Sequence, residues 1–124
     1  MPSPRDFEFF VACLCAEWCG TCRDYRAGFA ALAAEFPEMG FEWVDVEDEA
    51  DRIGDIDVEN FPSLLIQRGD AVLFFGAMLP DHALLRRLLQ TFAAQSPDES
   101  LRYASATAER RDWQQHNLRR FLSL

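Results

Sequence analysis

Residues 7–15, "FEFFVACLC", form an almost unbroken apolar run with aromatic and β-prone members, the pattern of a strand covered on both faces and therefore central in a sheet. From 20 to 36 the period changes. Tyr25, Phe29, Leu32, Ala33 and Phe36 recur at steps of three and four, which predicts a helix with one buried face that ends at "FPEMG". Residues 41–46 predict a second strand, parallel to the first and reached by a right-handed βαβ crossover. The following "EDEADRIGDIDV" has only Ile53, Ile56 and Val58 as apolar anchors and reads as a short solvated helix or loop. The acidic run from 42 to 59 as a whole reads as a solvated face.

Two further strand patterns, "SLLIQ" at 63–67 and "AVLFF" at 71–75, flank "RGD", where Gly69-Asp70 predicts a tight turn and an antiparallel hairpin. Pro80 suits the first position of a helix whose apolar stripe is Leu84, Leu85, Leu88, Leu89 and Phe92. At "SPDE", Ser96 reads as an N-cap, Pro97 as the first helical residue and Glu99 as the return partner of a capping box. Beyond it Ser105 and Thr107 are weak helix formers, and the apolar positions Leu101, Ala104, Ala108, Trp113, Leu118 and Phe121 drift across faces. A docked helix and a mobile tail both fit that pattern.

A chain of 124 residues with 49% apolar and 13% aromatic side chains suits one domain with an ordinary core. Its charge of −9 repels nucleic acid and anionic membrane surfaces, so neither is expected as a partner. The charge is uneven: residues 1–100 carry 7 Arg against 19 acids, and 101–124 carry 5 Arg against 2. Lysine is absent, which excludes Schiff-base and P-loop mechanisms. The apolar stretch near the N-terminus lacks a basic flank and is short for a signal peptide, so a cytoplasmic protein is expected. In that compartment four cysteines point to catalysis or metal binding before structural disulfides.

Cys19 and Cys22 stand two residues apart at the start of the first helix, directly after the buried strand. Free N–H groups and the dipole at a helix start favour an anion, which makes Cys19 the candidate nucleophile. Cys22, one turn inside, is the candidate resolving thiol: it would break a mixed disulfide by attacking Cys19 and leave a Cys19–Cys22 disulfide.

With "AEWCGTC" at 16–22, "NFPSLLI" at 60–66 and "FFGA" at 74–77, the chain resembles the thioredoxin family over about residues 7–94. The resemblance implies a thioredoxin-like three-layer α/β fold: a four-stranded mixed sheet in the order 2-1-3-4, with strand 4 antiparallel to strand 3, flanked by helices. The domain is expected over 1–95, with 96–124 as a C-terminal extension, helical or partly mobile. The resemblance also implies that Pro62 is the family's cis-proline facing the disulfide and Gly76 the glycine that opens a substrate groove. Trp18, Phe61, Pro62, Gly76 and Ala77 then form an apolar lip around Cys19, with Gly20 and Thr21 between the cysteines, against which an extended client segment can lie.

The implied activity is thiol–disulfide exchange, reducing disulfides of client proteins, with a dithiol or thioredoxin-reductase-like electron donor and no cofactor beyond the Cys19–Cys22 disulfide. Several positions depart from the family pattern. Cys13 stands where many thioredoxins hold a buried aspartate, and Trp43 where a lysine accompanies it, so the buried proton relay is missing. Thr21 replaces a common proline between the cysteines, and Ala27 and Gly28 occupy the region of a kinking proline. The strand and helix that usually precede the active-site strand are absent, which leaves a sheet edge for exposure, the tail or a second copy.

Cys13 and Cys15 share one face of the strand. They read as small apolar core residues, with Cys13 the candidate third thiol behind Cys22. All four cysteines as zinc or iron–sulfur ligands is a weaker reading, because two would lie in a buried strand and Pro62 would block the approach. A thioredoxin-like binding or assembly module with little redox turnover is the alternative function. His82 and His116 receive no role.

Overall fold

A computed structural model describes residues 7–16, 18–48 and 62–118. Strand β1, Phe9–Cys15, is buried along its whole length and lies inside a four-stranded sheet ordered β2-β1-β3-β4. The other strands are β2, Met39–Asp45, β3, Ser63–Arg68, and β4, Ala71–Ala77. β1 runs parallel to β2 and antiparallel to β3, and β3 and β4 form an antiparallel hairpin. This is the expected mixed sheet. The hairpin turns at Gly69, whose φ of +58° is the left-handed conformation that a two-residue turn asks of glycine. Arg68 of the "RGD" triplet is engaged elsewhere, pairing with Glu8 at 2.6 Å.

Helix α1, Gly20–Glu35, is continuous through Ala27 and Gly28, and buries Cys22, Tyr25, Phe29 and Leu32. Helix α2, His82–Ala93, buries Leu85, Leu89 and Phe92. Both meet the face of the sheet that carries Phe9, Val11, Cys13 and Cys15, as the period-two alternation of a strand requires. Pro80 does not open α2. Asp81 is its N-cap, and the carboxylate accepts the Ala83 N–H at 2.9 Å, satisfying a donor that a helix start leaves free.

The capping box at Ser96 and Glu99 starts helix α3, Pro97–Ser105. The chain then breaks, because Thr107 turns from weak helix former to N-cap, accepting from the Arg110 N–H at the start of α4, Ala108–Trp113. A single 3-10 turn, Gln114–His116, follows. This extension docks. Leu118 and Trp113 cover Phe10, Ala12, Leu14, Leu65 and Val72 on the second face of the sheet. That face is apolar, and each Å² of it taken out of water contributes about 25 cal/mol.

Gln114 fastens the extension by accepting from Val72 N–H and donating to Val72 C=O, each at 2.8 Å. Buried Gln67 adds a second clasp, donating to Asn117 Oδ1 and accepting from Leu118 N–H, both at 2.7 Å. The tail thus meets the β4 side of the sheet. The other edge of the described sheet is β2, on the opposite side.

Candidate active site

The C-terminal end of β1 and the N-terminal end of α1 bring the cysteines together. Cys15 is the last residue of β1, and Cys19 is the N-cap of α1, in extended conformation with no side-chain hydrogen bond closing the cap. A turn joins them, in which Cys19 N–H donates to Ala16 C=O at 3.0 Å. Cys22 lies on the buried side of the first helical turn. Its sulfur is bonded to Cys15, with 5.9 Å between the Cα atoms, and Cys19 is a free, half-buried thiol.

The pairing therefore differs from the expected Cys19–Cys22 disulfide. The reason is geometric: Cys15 and Cys22 both point into the apolar layer between sheet and helix, at a Cα separation typical of disulfides, whereas Cys19 sits at the rim. The thiol against Cys22 is also Cys15 rather than Cys13. Cys13 does share the inward face, with its sulfur 3.6 Å from that of Cys15. Burial pushes the Cys13 thiol up to about 12, so it stays protonated at neutral pH.

The register carries the hairpin to the same end of the sheet. Leu14 pairs with Ser63, and Ser63 with Ala77, so Pro62, Gly76 and Ala77 lie beside the strand end that bears Cys15. Pro62 is buried, and its carbonyl accepts from Met78 N–H at 3.2 Å. Gly76 has φ +149°, and a Cβ built there meets nothing within 4 Å among the described residues, so the backbone rather than crowding demands glycine and the surface beside it is open on the side they form. Gly20, Thr21 and Ala77 are exposed. Phe61, and with it the peptide bond into Pro62, lies outside the described residues, as do Ile53, Ile56 and Val58.

Trp18 is 63% exposed, and its indole N–H donates to Glu47 Oε1 at 2.7 Å. Asp45 sets that contact up by accepting the N–H groups of Glu47 and Asp48, which fixes the turn after β2. Sequence reasoning assigned the acidic segment to solvent alone. Among the described residues Glu47 departs from that reading, and no local periodicity signals a contact across 29 residues.

A thioredoxin family model matches residues 6–89, more than half of the chain. This chain belongs to the thioredoxin family. It is 41% identical over 58 residues to an H-type thioredoxin of Picea mariana, covering 46% of each protein. It is 32% identical over 81 residues to a putative thioredoxin 2 of Streptomyces coelicolor, covering 64% of this chain and 60% of the relative. The chain thus spans about half of the length of these relatives. Among solved structures, thioredoxin from Trypanosoma brucei brucei superposes with a TM-score of 0.65 over 73% of this chain and 80% of that one, at 24% identity. Thioredoxin from Fasciola hepatica gives 0.58 over 70% and 83%, at 25% identity.

Against the thioredoxin pattern, the region behind the cysteines is recast. Cys13 and Trp43 are register partners on β1 and β2, so the two exchanged positions are neighbours in space. Trp43 packs edge-on against Phe29 and lies under the Arg26 guanidinium at 5.2 Å. Tyr25, one turn beyond Cys22, is 2% exposed, and its hydroxyl has no hydrogen-bond partner among the described residues. Burial, aided by the Asp81 charge, raises its pKa, so it is a neutral phenol. His82, which the sequence left without a role, stacks on Tyr25 at 4.5 Å between ring centroids, with Nε2 3.1 Å from the Tyr25 carbonyl oxygen.

Among the described residues no group of three His, Cys, Asp or Glu side chains is placed to hold a metal ion. No helix among them is long and apolar enough to cross a membrane. A cavity of about 630 Å³ lined by Glu8, Arg68, Asp70, Pro97 and Leu101 lies at the opposite end of the sheet, away from the cysteines.

Proposed function

We propose that this thioredoxin-family protein is a thiol–disulfide oxidoreductase that reduces protein disulfides, with Cys19 as nucleophile and Cys22 as resolving thiol. The observation that carries the reading is the half-buried free thiol of Cys19 at the N-terminus of α1, one turn before buried Cys22. A thiolate at Cys19 attacks one sulfur of the client disulfide, that bond breaks, and the departing sulfur takes up a proton. In the form that acts, Cys22 is reduced. Its thiolate attacks Cys19, the Cys19–Cys22 bond forms, and the second client thiol leaves. The client gains two electrons and the protein loses two.

Trp18, Gly20, Thr21, Phe61, Pro62, Gly76 and Ala77 are the proposed client surface. The open space beside Gly76 supports it, since an extended segment needs backbone access there. An external dithiol or a thioredoxin-reductase-like donor returns the protein to its reduced form, which suits a reducing, cytoplasmic setting. The buried engagement of Cys22 with Cys15 favours a second reading, a binding module that uses the same surface without turnover.

Reduction of the interchain disulfides of insulin with dithiothreitol as donor separates the two. The oxidoreductase reading expects acceleration by the wild-type chain, loss in Cys19→Ser and a trapped mixed disulfide in Cys22→Ser. A wild-type rate equal to that of dithiothreitol alone leaves the binding module.

A further inference from the structure

The sulfur of Cys15, which the expected mechanism does not use, is bonded to Cys22, and Cys19 is left as a free thiol at the start of α1. We propose that Cys15 is a third redox thiol of this site, which takes the disulfide over from Cys19 so that the oxidised protein holds an inner Cys15–Cys22 bond and a free Cys19. The inference rests on the reading above that Cys19 and Cys22 form the outer couple.

The step is an exchange within one molecule. Cys15 Sγ attacks Cys22 Sγ, the Cys15–Cys22 bond forms, the Cys19–Cys22 bond breaks, and the electron pair leaves on Cys19 Sγ, which takes up the proton that Cys15 gives up. One disulfide exists before and after, so no oxidant or reductant is consumed. The step runs in both directions.

Burial favours the inner pairing. Cys15 is 0% and Cys22 1% exposed, in an apolar layer with Tyr25, Leu64 and Met78. A disulfide carries no charge and loses nothing there, whereas a thiolate in that layer is penalised by desolvation. The exchange moves the leaving sulfur outward to Cys19, a half-buried N-cap whose side chain makes no capping bond. Cys13 is adjacent to this pair but not bonded into it.

Two functional consequences follow. Reductants reach the inner disulfide through Cys19, which must first attack Cys22 and bring the bond back to the rim. Meanwhile the oxidised protein still presents a free nucleophile, and a client captured on it stays covalently bound, because Cys22 is occupied.

The test is disulfide mapping of the whole chain. Reduced protein is treated with one equivalent of oxidised glutathione, quenched in acid, alkylated with N-ethylmaleimide, digested and analysed by mass spectrometry. A Cys15–Cys22 linked peptide with alkylated Cys19 as the main species is expected. A Cys19–Cys22 linkage alone, with Cys15 alkylated, overturns the proposal. In Cys15→Ala the oxidised protein is expected to lose Cys19 alkylation by about tenfold; unchanged alkylation also overturns it. Cys19→Ser is expected to form the inner disulfide while resisting dithiothreitol more than the wild type does. Rapid reduction of that variant would remove the gating role of Cys19. Because mapping reads linkage and the insulin assay reads turnover, an inactive protein with the inner linkage and an active one without it are told apart.

Discussion

Gly28 of α1 lies against His82 of α2 so closely that a Cβ built on Gly28 would clash with the imidazole ring. The contact fixes how α1, which carries Cys22, sits against α2, and it gives the His82 ring its stack on Tyr25. Gly28→Ala gains about 1 kcal/mol of helix propensity. Overpacking costs about 1–3 kcal/mol. A net loss of about 1 kcal/mol is expected in urea denaturation, and His82→Ala in the same chain is expected to recover most of it. A stabilised single variant would mean that the ring moves aside freely.

Gly76→Ala tests the open side of the client surface. At φ +149° any other residue is strained, at a cost of about 1–3 kcal/mol. A lower denaturation midpoint is expected together with a raised KM for a protein disulfide, because the added methyl projects into the open space beside β4. An unchanged KM would take Gly76 out of client contact.

Gln114→Ala tests the docking of the C-terminal extension. It strands the Val72 N–H and C=O that the side-chain amide now satisfies. Loss of about 1–3 kcal/mol of stability is expected. Faster amide exchange at Val72 is expected with it, and exchange as slow as in the wild type would show that another group protects this part of β4.

His116 introduces a pH dependence at the second face. It stacks on Phe75 at 4.2 Å between centroids, and burial lowers its pKa from 6.5, partly opposed by Asp112. The unfolded chain therefore takes up this proton at a higher pH than the folded one. Stability is expected to fall as pH drops below 6.5 and to level off from this source below the folded-state pKa. His116→Gln is expected to flatten that step, and an identical profile would assign the step elsewhere. At lower pH Glu35 acts in the same direction. The Arg86 hydrogen bond and charge hold its carboxyl below 4.5, and that stability is lost as pH falls through the folded-state value.

Much of the fold was legible because its signals are local. The all-apolar stretch before Cys15, the three-four period through Tyr25, Phe29 and Leu32, and the Gly69 turn each depend on neighbours within a few residues. The Ser96 capping box was legible for the same reason. Pro80 was misplaced because Asp81, a residue later, competed for the helix start with a side-chain acceptor. The break at Thr107 was signalled only as weak helix propensity, though a threonine that opposes one helix is well suited to cap the next.

The candidate site divides along the same line. Sequence alone identified the thioredoxin family, the four cysteines, and Cys19 and Cys22 at a helix start, because motif and spacing are properties of the chain. It also set Cys13 and Cys15 on one face, since strand parity is exact. Which sulfur meets Cys22 was decided only by the tertiary structure. That depends on how far β1 runs before the chain turns and on how α1 lies across the sheet, a separation in space that spacing in sequence does not encode. The fate of the extension was decided there too. Its drifting apolar positions make sense against the apolar second face of the sheet, on which Trp113 and Leu118 pack.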